Sequence, residues 1–300
     1  MRLTCLLLSC PAWWINVAVA QEGGIEVFAG ETLFESGFRV SLTELYKPKR
    51  DLFRGSSETN DSLNRSFEEF RTVLGIDYGI DRNATLSVLV PTVHREMRSG
   101  GASSTATGLG DMALLGKYRL FHDQGVASEF NWAAIGGLEL PTGATDAREG
   151  GMRLPTSVQV GKGSWNPFLA TSVTAGLGRA RFDGTVFYKF NTEGAQQLDE
   201  GEFFSGSLSA AYRFIHYKYP GPTVGGRIGL QWRHEGRAKR SGMRVTDSGA
   251  DELLLTPGLS IHPVPRMDLN IGARIPLYQD YNGTQLGRDT EFFLAVGLRF

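Results

Sequence analysis

The sequence predicts an all-β protein: a closed antiparallel β-barrel of about twelve strands whose outer face meets lipid. Three observations carry that reading. First, 38 of the 300 residues are glycine, well above a usual share of about 7%, and 18 Phe, 9 Tyr and 5 Trp accompany them. Glycine at this density disfavours a helical bundle, because each interior glycine costs a helix about 1 kcal/mol relative to alanine. Second, many segments alternate residue by residue with their charges confined to one face. In residues 291–300, Phe292, Leu294, Val296, Leu298 and Phe300 share one face, and Glu291, Phe293, Ala295, Gly297 and Arg299 share the other. Third, short connections alternate with long polar ones, as in barrels of the outer membrane. A soluble sandwich would instead need its apolar faces stacked inward in two sheets.

The first twenty residues stand apart. Met1-Arg2, an apolar stretch reaching Trp14 and Ile15, and Ala18-Val19-Ala20 form the pattern of a cleaved export signal. The expected organisation is therefore a signal peptide at 1–20 and one barrel domain at 21–300, located in a Gram-negative type outer membrane. Both cysteines, Cys5 and Cys10, fall inside the signal, so no disulfide framework is available to the exported chain. Beyond the signal no apolar run approaches the roughly 18 residues of a spanning helix. Lys and Arg total 31 against 32 Asp and Glu, a balance that gives nucleic acid no electrostatic footing.

Taken in order, the expected strands fall near residues 31–46, 67–78, 84–93, 109–121, 127–140, 162–177, 181–190, 203–215, 223–234, 252–262, 266–278 and 291–300, with boundaries good to roughly 2–4 residues. Within 162–177, Gly161-Lys162-Gly163 and Pro167 mark a place where the strand can break. Connections at 47–66, 94–108, 141–161, 191–202, 235–251 and 279–290 read as long external loops, and 47–66, 94–108 and 235–251 are expected to fold across the mouth. Charges identify the inward faces. Glu69 and Arg71 alternate with Phe70 and Leu74; Asp111, Lys117 and Arg119 alternate with Met112, Leu114, Tyr118 and Leu120. Arg227, Gln231 and Arg233 alternate with Ile228, Leu230 and Trp232, and Asp268, Gly272 and Arg274 alternate with Leu269, Ile271 and Ala273.

The candidate lumen lining is thus Arg39, Glu69, Arg71, Asp111, Lys117, Arg119, Glu139, Arg213, Arg227, Arg233, Arg274 and Arg299. Glu35, Asp77 and Glu129 join the first five strands, while Asp268 and Glu291 join the last five. This gives a net acidic wall opposite a net basic one. Such walls either pair across a narrow lumen or, in a wet pore, set up a transverse field that draws carboxylates. Asp111 reads as an ion-pair partner in the lumen or as a ligand contact.

Several short motifs follow one another in order: Tyr78-Gly79-Ile80 before a turn, Val88-Leu89-Val90-Pro91, Gly108-Leu109-Gly110-Asp111 leading into Lys117-Tyr118, and Leu138-Glu139-Leu140-Pro141-Thr142-Gly143. In these motifs the chain resembles the bacterial outer-membrane family labelled as the meta-pathway of phenol degradation. The resemblance implies a transporter-like channel that helps small hydrophobic or aromatic compounds cross the outer membrane, with no catalytic residues to carry over. A non-conducting structural or adhesive barrel is the alternative.

An outer-membrane hydrolase is a more distant reading. Its histidine base would sit beside a serine nucleophile, and the surroundings of His94, His122, His216, His234 and His262 hold no His-x-Ser-Asn-Gly run. The histidines have no metal spacing, and no cofactor motif is present. Residues 21–30 are too few for a long N-terminal plug of the kind found in fatty-acid transporters. The expected partners are outer-membrane lipid, the barrel-assembly machinery and a small-molecule substrate, with the protein acting as a monomer.

Overall fold

The computed structural model describes residues 28–217 and 220–300; the expected signal peptide lies outside them. Among the described residues, twelve strands form one antiparallel sheet that closes on itself. They are β1 (Phe38–Gly55), β2 (Ser66–Gly79), β3 (Ala84–Ser99), β4 in two arms (Ala102–Leu109 and Ala113–Gln124), β5 (Ser128–Glu139), β6 (Asn166–Leu177), β7 (Ala180–Lys189), β8 (Phe203–His216), β9 (Thr223–Glu235), β10 in two arms (Ala250–Leu255 and Gly258–His262), β11 (Met267–Arg288) and β12 (Glu291–Arg299). Each strand pairs with its sequence neighbours. Closure comes from β1 against β12, with Arg39 opposite Arg299 and Tyr46 opposite Phe292. A closed sheet leaves no edge strand to recruit another chain.

Alternation decides which way each residue points. Along β12, Glu291, Phe293, Ala295 and Arg299 are buried inward, while Phe292, Leu294 and Leu298 face out. The outer surface is an apolar belt, including Ile228, Leu230, Leu259 and Ile271, all exposed. Aromatic rings border it at the two ends. Phe38 lies near Phe300 at the end with short turns, and Tyr46 stacks on Phe70 at 4.5 Å toward the other. An apolar band between aromatic girdles is the surface a bilayer selects.

The strand order agrees with the sequence reading, but several boundaries move. β1 starts at Phe38, not near residue 31, and runs on to Gly55. β3 continues to Ser99 and pairs with the first arm of β4, so 94–108 is a hairpin. β11 climbs to Tyr281 beside Ala250, turns at Asn282-Gly283 (Gly283 φ 76°), and descends from Thr284 along β1. Segments expected as loops at 47–66, 94–108 and 279–290 are thus largely ladder that projects beyond the membrane. Outside the bilayer both sheet faces meet water, so apolar alternation disappears from the sequence although the backbone hydrogen bonds continue. The break anticipated in 162–177 falls before Asn166, where β6 begins.

The described chain of 140–165 folds inward over the long-loop mouth. Leu154, Val158 and Val160 pack on Val93 and Ala106 of the barrel wall, with Val158 fully buried.

Candidate functional site

The lumen contains chain as well as side chains. Residues 28–33 leave the wall before β1 and cross the barrel interior, each of them buried. Their hydrogen bonds run mainly to wall side chains. Ser172 and Thr185 hydroxyls donate to the Phe28 carbonyl at 2.6 and 2.8 Å, and the Gly30 N–H donates to Thr174 Oγ1 at 3.0 Å. Lys117 Nζ donates to the Ala29 and Glu31 carbonyls at 2.8 and 3.1 Å, and the Leu33 N–H reaches Thr85 Oγ1 at 2.9 Å. No long plug of the fatty-acid-transporter kind was expected before β1, and the described segment that does enter the lumen is short. A plug held by side chains needs only about six residues, since an extended chain covers about 3.3 Å per residue.

Above this segment the lumen is aromatic, not polar. Phe168, Phe187 and Phe203 project inward from β6, β7 and β8 and meet Phe28, with Phe28–Phe187 and Phe168–Phe187 centroids 6.3 and 5.4 Å apart. Lys189 and Arg233 lie over the Phe203 ring at 5.8 and 5.1 Å. A rule of polar interior on every strand therefore fails at these three positions, although Ser172, Thr174, Arg181, Asp183, Thr185 and Lys189 keep it elsewhere on β6 and β7. Only part of the signal was available: on the inward face of 166–177, Phe168 and Ala170 share their side with Asn166, Ser172 and Thr174.

The charged positions form local networks. At the long-loop end, Arg288 donates to both Glu252 oxygens at 3.0 Å and also contacts Glu291, which Arg274 meets at 3.2 Å. Arg233 lies 3.9 Å from Glu252. On the other wall, Glu69 gathers Lys47, Arg71 and Arg95 at 3.3, 3.0 and 2.7 Å. Glu139 receives Lys189 and Lys162 at 3.3 and 3.8 Å. Toward the short-turn end, Asp268 is shared by Arg39 and Arg299 at 3.1 and 3.2 Å, and Arg39 also reaches Asp77 at 3.2 Å.

Of the candidate lining residues, Arg39, Glu69, Arg71, Glu139, Arg233, Arg274 and Arg299 therefore lie in these inward networks, and Lys117 holds the plug. Arg213 and Arg227 line a chamber at the short-turn end. Arg119 sits at that rim, where it donates to the Arg82 carbonyl at 2.6 Å and to Asn83. Glu35 is exposed in the turn before β1, outside the lumen.

Two expectations change. The acidic and basic walls do not face each other as wholes, because charges pair with adjacent strands. Inward positions on neighbouring strands lie about 5 Å apart, much closer than the opposite wall. Asp111 forms no ion pair among the described residues; its carboxylate is taken up by backbone. It sits at the break in β4 and accepts the backbone N–H groups of Gly143 (2.9 Å) and Lys162 (2.6 Å), pinning both ends of the mouth-covering loop. The close approach explains the glycines: a Cβ on Gly143 would stand 2.6 Å from the Gly161 Cα.

Sequence reasoning missed Glu31, Arg181, Lys189, Glu252 and Arg288. Arg181, Lys189 and Glu252 were readable by extending the inward parity of their strands. Glu31 and Arg288 were hidden, one in a supposed strand and the other in a supposed loop.

With a closed barrel and a plugged, partly aromatic lumen established, comparison with known proteins places the chain. Residues 48–276 match the family described as "Putative MetA-pathway of phenol degradation". The chain belongs to that family. Among solved structures, the COG4313 outer membrane channel from Pseudomonas putida F1 superposes with a TM-score of 0.70 at 15% identity, covering 90% of this chain and 97% of that one. The beta domain of the Bordetella autotransporter BrkA gives a TM-score of 0.48 at 11% identity, covering 89% and 100%. No curated protein matches.

This member of the phenol-degradation family is accordingly an outer-membrane barrel, with its short turns toward the periplasm by the rule of such barrels. Its interior offers three surfaces to a solute. These are an aromatic wall at mid-lumen, charge networks above and below it, and a small periplasmic chamber beside the plug.

Proposed function

We propose that the protein is an outer-membrane channel for small hydrophobic or aromatic compounds, closed by its own residues 28–33. The plug geometry carries the reading. The segment is anchored by hydroxyls and Lys117 of the wall, so it can leave without unzipping any strand pair of the barrel. Its departure would bare Phe168, Phe187 and Phe203, a surface suited to stacking an aromatic ring. The family's description and the likeness to an outer membrane channel support the same reading.

Transport, not hydrolysis, fits the histidines. His94, His122, His234 and His262 contact Thr107, Asn131, Asp251 and Thr223, and none of these partners is a serine. Export through a cleaved signal, insertion by the barrel-assembly machinery and action as a monomer complete the proposal.

The test uses planar bilayers with the full mature chain and a variant lacking residues 28–33. The channel reading expects sparse openings from the first and sustained conductance from the second. The buried ion-pair networks favour a second reading, a non-conducting structural barrel. Silence from both proteins, each folded by heat-modifiability on unboiled gels, would establish that alternative.

A further inference from the structure

The plug carries one charged side chain into the lumen, and its destination is specific. Glu31 is 2% exposed, and both Nη atoms of Arg181 grip its carboxylate, Nη2 at 2.9 Å from Oε2. Asp183 takes the other edge of the same guanidinium, with Nε 2.9 Å from Oδ2, and Thr174 Oγ1 lies 3.3 Å from Nη2. The guanidinium is thus fixed by its own strand and by β6, and its free edge is presented to whatever enters from the lumen. A planar fork of two parallel N–H donors matches a carboxylate in geometry as well as charge.

We propose that this fork of Arg181 is a binding site for the carboxylate of an organic acid, occupied in cis by Glu31, and that such an acid competes with Glu31 and so releases the plug. The proposal rests on the channel reading and specifies its substrate class.

Three features of the surroundings support it. A cavity of about 70 Å³ adjoins the pair, bordered by Arg179, Arg181, Arg213 and Arg227 against Glu31, Glu129 and Asp183. Among the described residues, four cations line it with three anions while Glu31 is in place and with two once it leaves, so withdrawal of the plug makes the cavity more attractive to an anion. His262 lines the same cavity and is 6% exposed, and its Nε2 has no hydrogen-bond partner among the described residues. A buried imidazole nitrogen in that state is costly unless a ligand or water completes it. Leu259, Ala211 and Gly226 supply apolar and small wall for the remainder of an acid. On the other side the plug leads directly to Phe28 and the aromatic wall. With its carboxylate at Arg181, a compact aromatic acid rests its ring on Leu259 and Ala211, while Phe187, six residues up the strand or about 20 Å away, is reached only by a long-chain acid.

Glu31 acts as a tethered competitor, so its removal should strengthen binding of a free carboxylate by about the ratio of its effective concentration to the site's affinity for it. The test is calorimetric titration of the full mature protein in detergent with benzoate, and with benzyl alcohol as the uncharged counterpart. Glu31→Gln should bind benzoate at least about tenfold more tightly than the parent, with benzyl alcohol unchanged. Arg181→Gln combined with Asp183→Asn, which leaves neither partner charged, should lose benzoate binding in the Glu31→Gln background. Inorganic phosphate is the third probe; binding as tight as benzoate would indicate a general anion site and overturn the assignment to carboxylates. Equal benzoate affinity in parent and Glu31→Gln, or retention in the arginine variant, overturns the proposal as well. Should Glu31→Gln fail to fold, the variant lacking residues 28–33 removes the competitor in another way and must show the same gain. Failure of the channel reading is separate: it appears as silence in bilayers, whatever benzoate does in the calorimeter.

Discussion

Gly30 passes so close to Asn131 that a Cβ on it would stand 2.6 Å from the Asn131 carbonyl oxygen and 3.0 Å from the Thr174 N–H nitrogen. Both neighbours are barrel backbone and cannot yield. Valine at position 30 should therefore push the plug off the wall without touching any strand pair. Gly30→Val is expected to raise open probability in planar bilayers severalfold while the folded band on unboiled gels is retained. An open probability equal to the parent's would mean the segment does not block conduction.

Glu252 and Arg288 test the lattice at the long-loop end. Glu252 is 2% exposed and accepts two 3.0 Å bonds from Arg288, with Arg233 also near. Glu252→Gln leaves two buried cations short of a carboxylate, and breaking such a pair costs about 3–5 kcal/mol. Urea titration of the barrel should show a loss of that order. Glu149→Gln, an exposed position in the loop beyond the barrel wall, should lie near the parent.

Depth on the outer face gives a second stability series. Ile228 is 57% exposed toward the apolar belt, while Trp232 lies two inward-outward repeats nearer the girdle on the same strand. Arginine at 228 is expected to cost about 2–4 kcal/mol and at 232 about 0–1 kcal/mol. Equal costs would show that the belt has been placed at the wrong height. Gln231, inward and only 1% exposed under Ser205, is no tolerant lumen position, because its amide already bonds the Ser205 hydroxyl at 3.0 Å.

Asp111 offers a local test. Asp111→Ala removes acceptors for the Gly143 and Lys162 N–H groups and should free the loop between them, at a local cost of about 1–3 kcal/mol per lost partner. Limited trypsin treatment from outside should then cut at Arg148 or Arg153 at least several times faster, with the barrel core intact. Unchanged cleavage would place the anchor of this loop elsewhere, for instance in the Gln159 side chain that bonds Ala147 and Leu154.

By itself the sequence determined the strand order, a strand number near twelve and the facing of residues such as Leu230, Gln231, Ile271 and Arg299, while closure of the sheet fixed the number at twelve. These are local properties: in a strand, parity alone decides the face, and the bilayer writes that parity into the residues it touches. It did not determine which inward groups meet. Glu31 reaches Arg181 across 150 residues, and Arg288 reaches Glu252 only because β11 turns back at Asn282-Gly283. Such pairings depend on the stagger of each strand against the next, which accumulates around the barrel and leaves no periodic trace. The plug was illegible for the same reason. Residues 28–33 have no strand partner, and their fit is decided by hydroxyls, an amine and one glycine contact supplied by β3 to β7. The aromatic wall of Phe168, Phe187 and Phe203 was half legible, as large apolar residues at inward parity among polar ones, but only closure of the barrel decided that they would meet a plug instead of water.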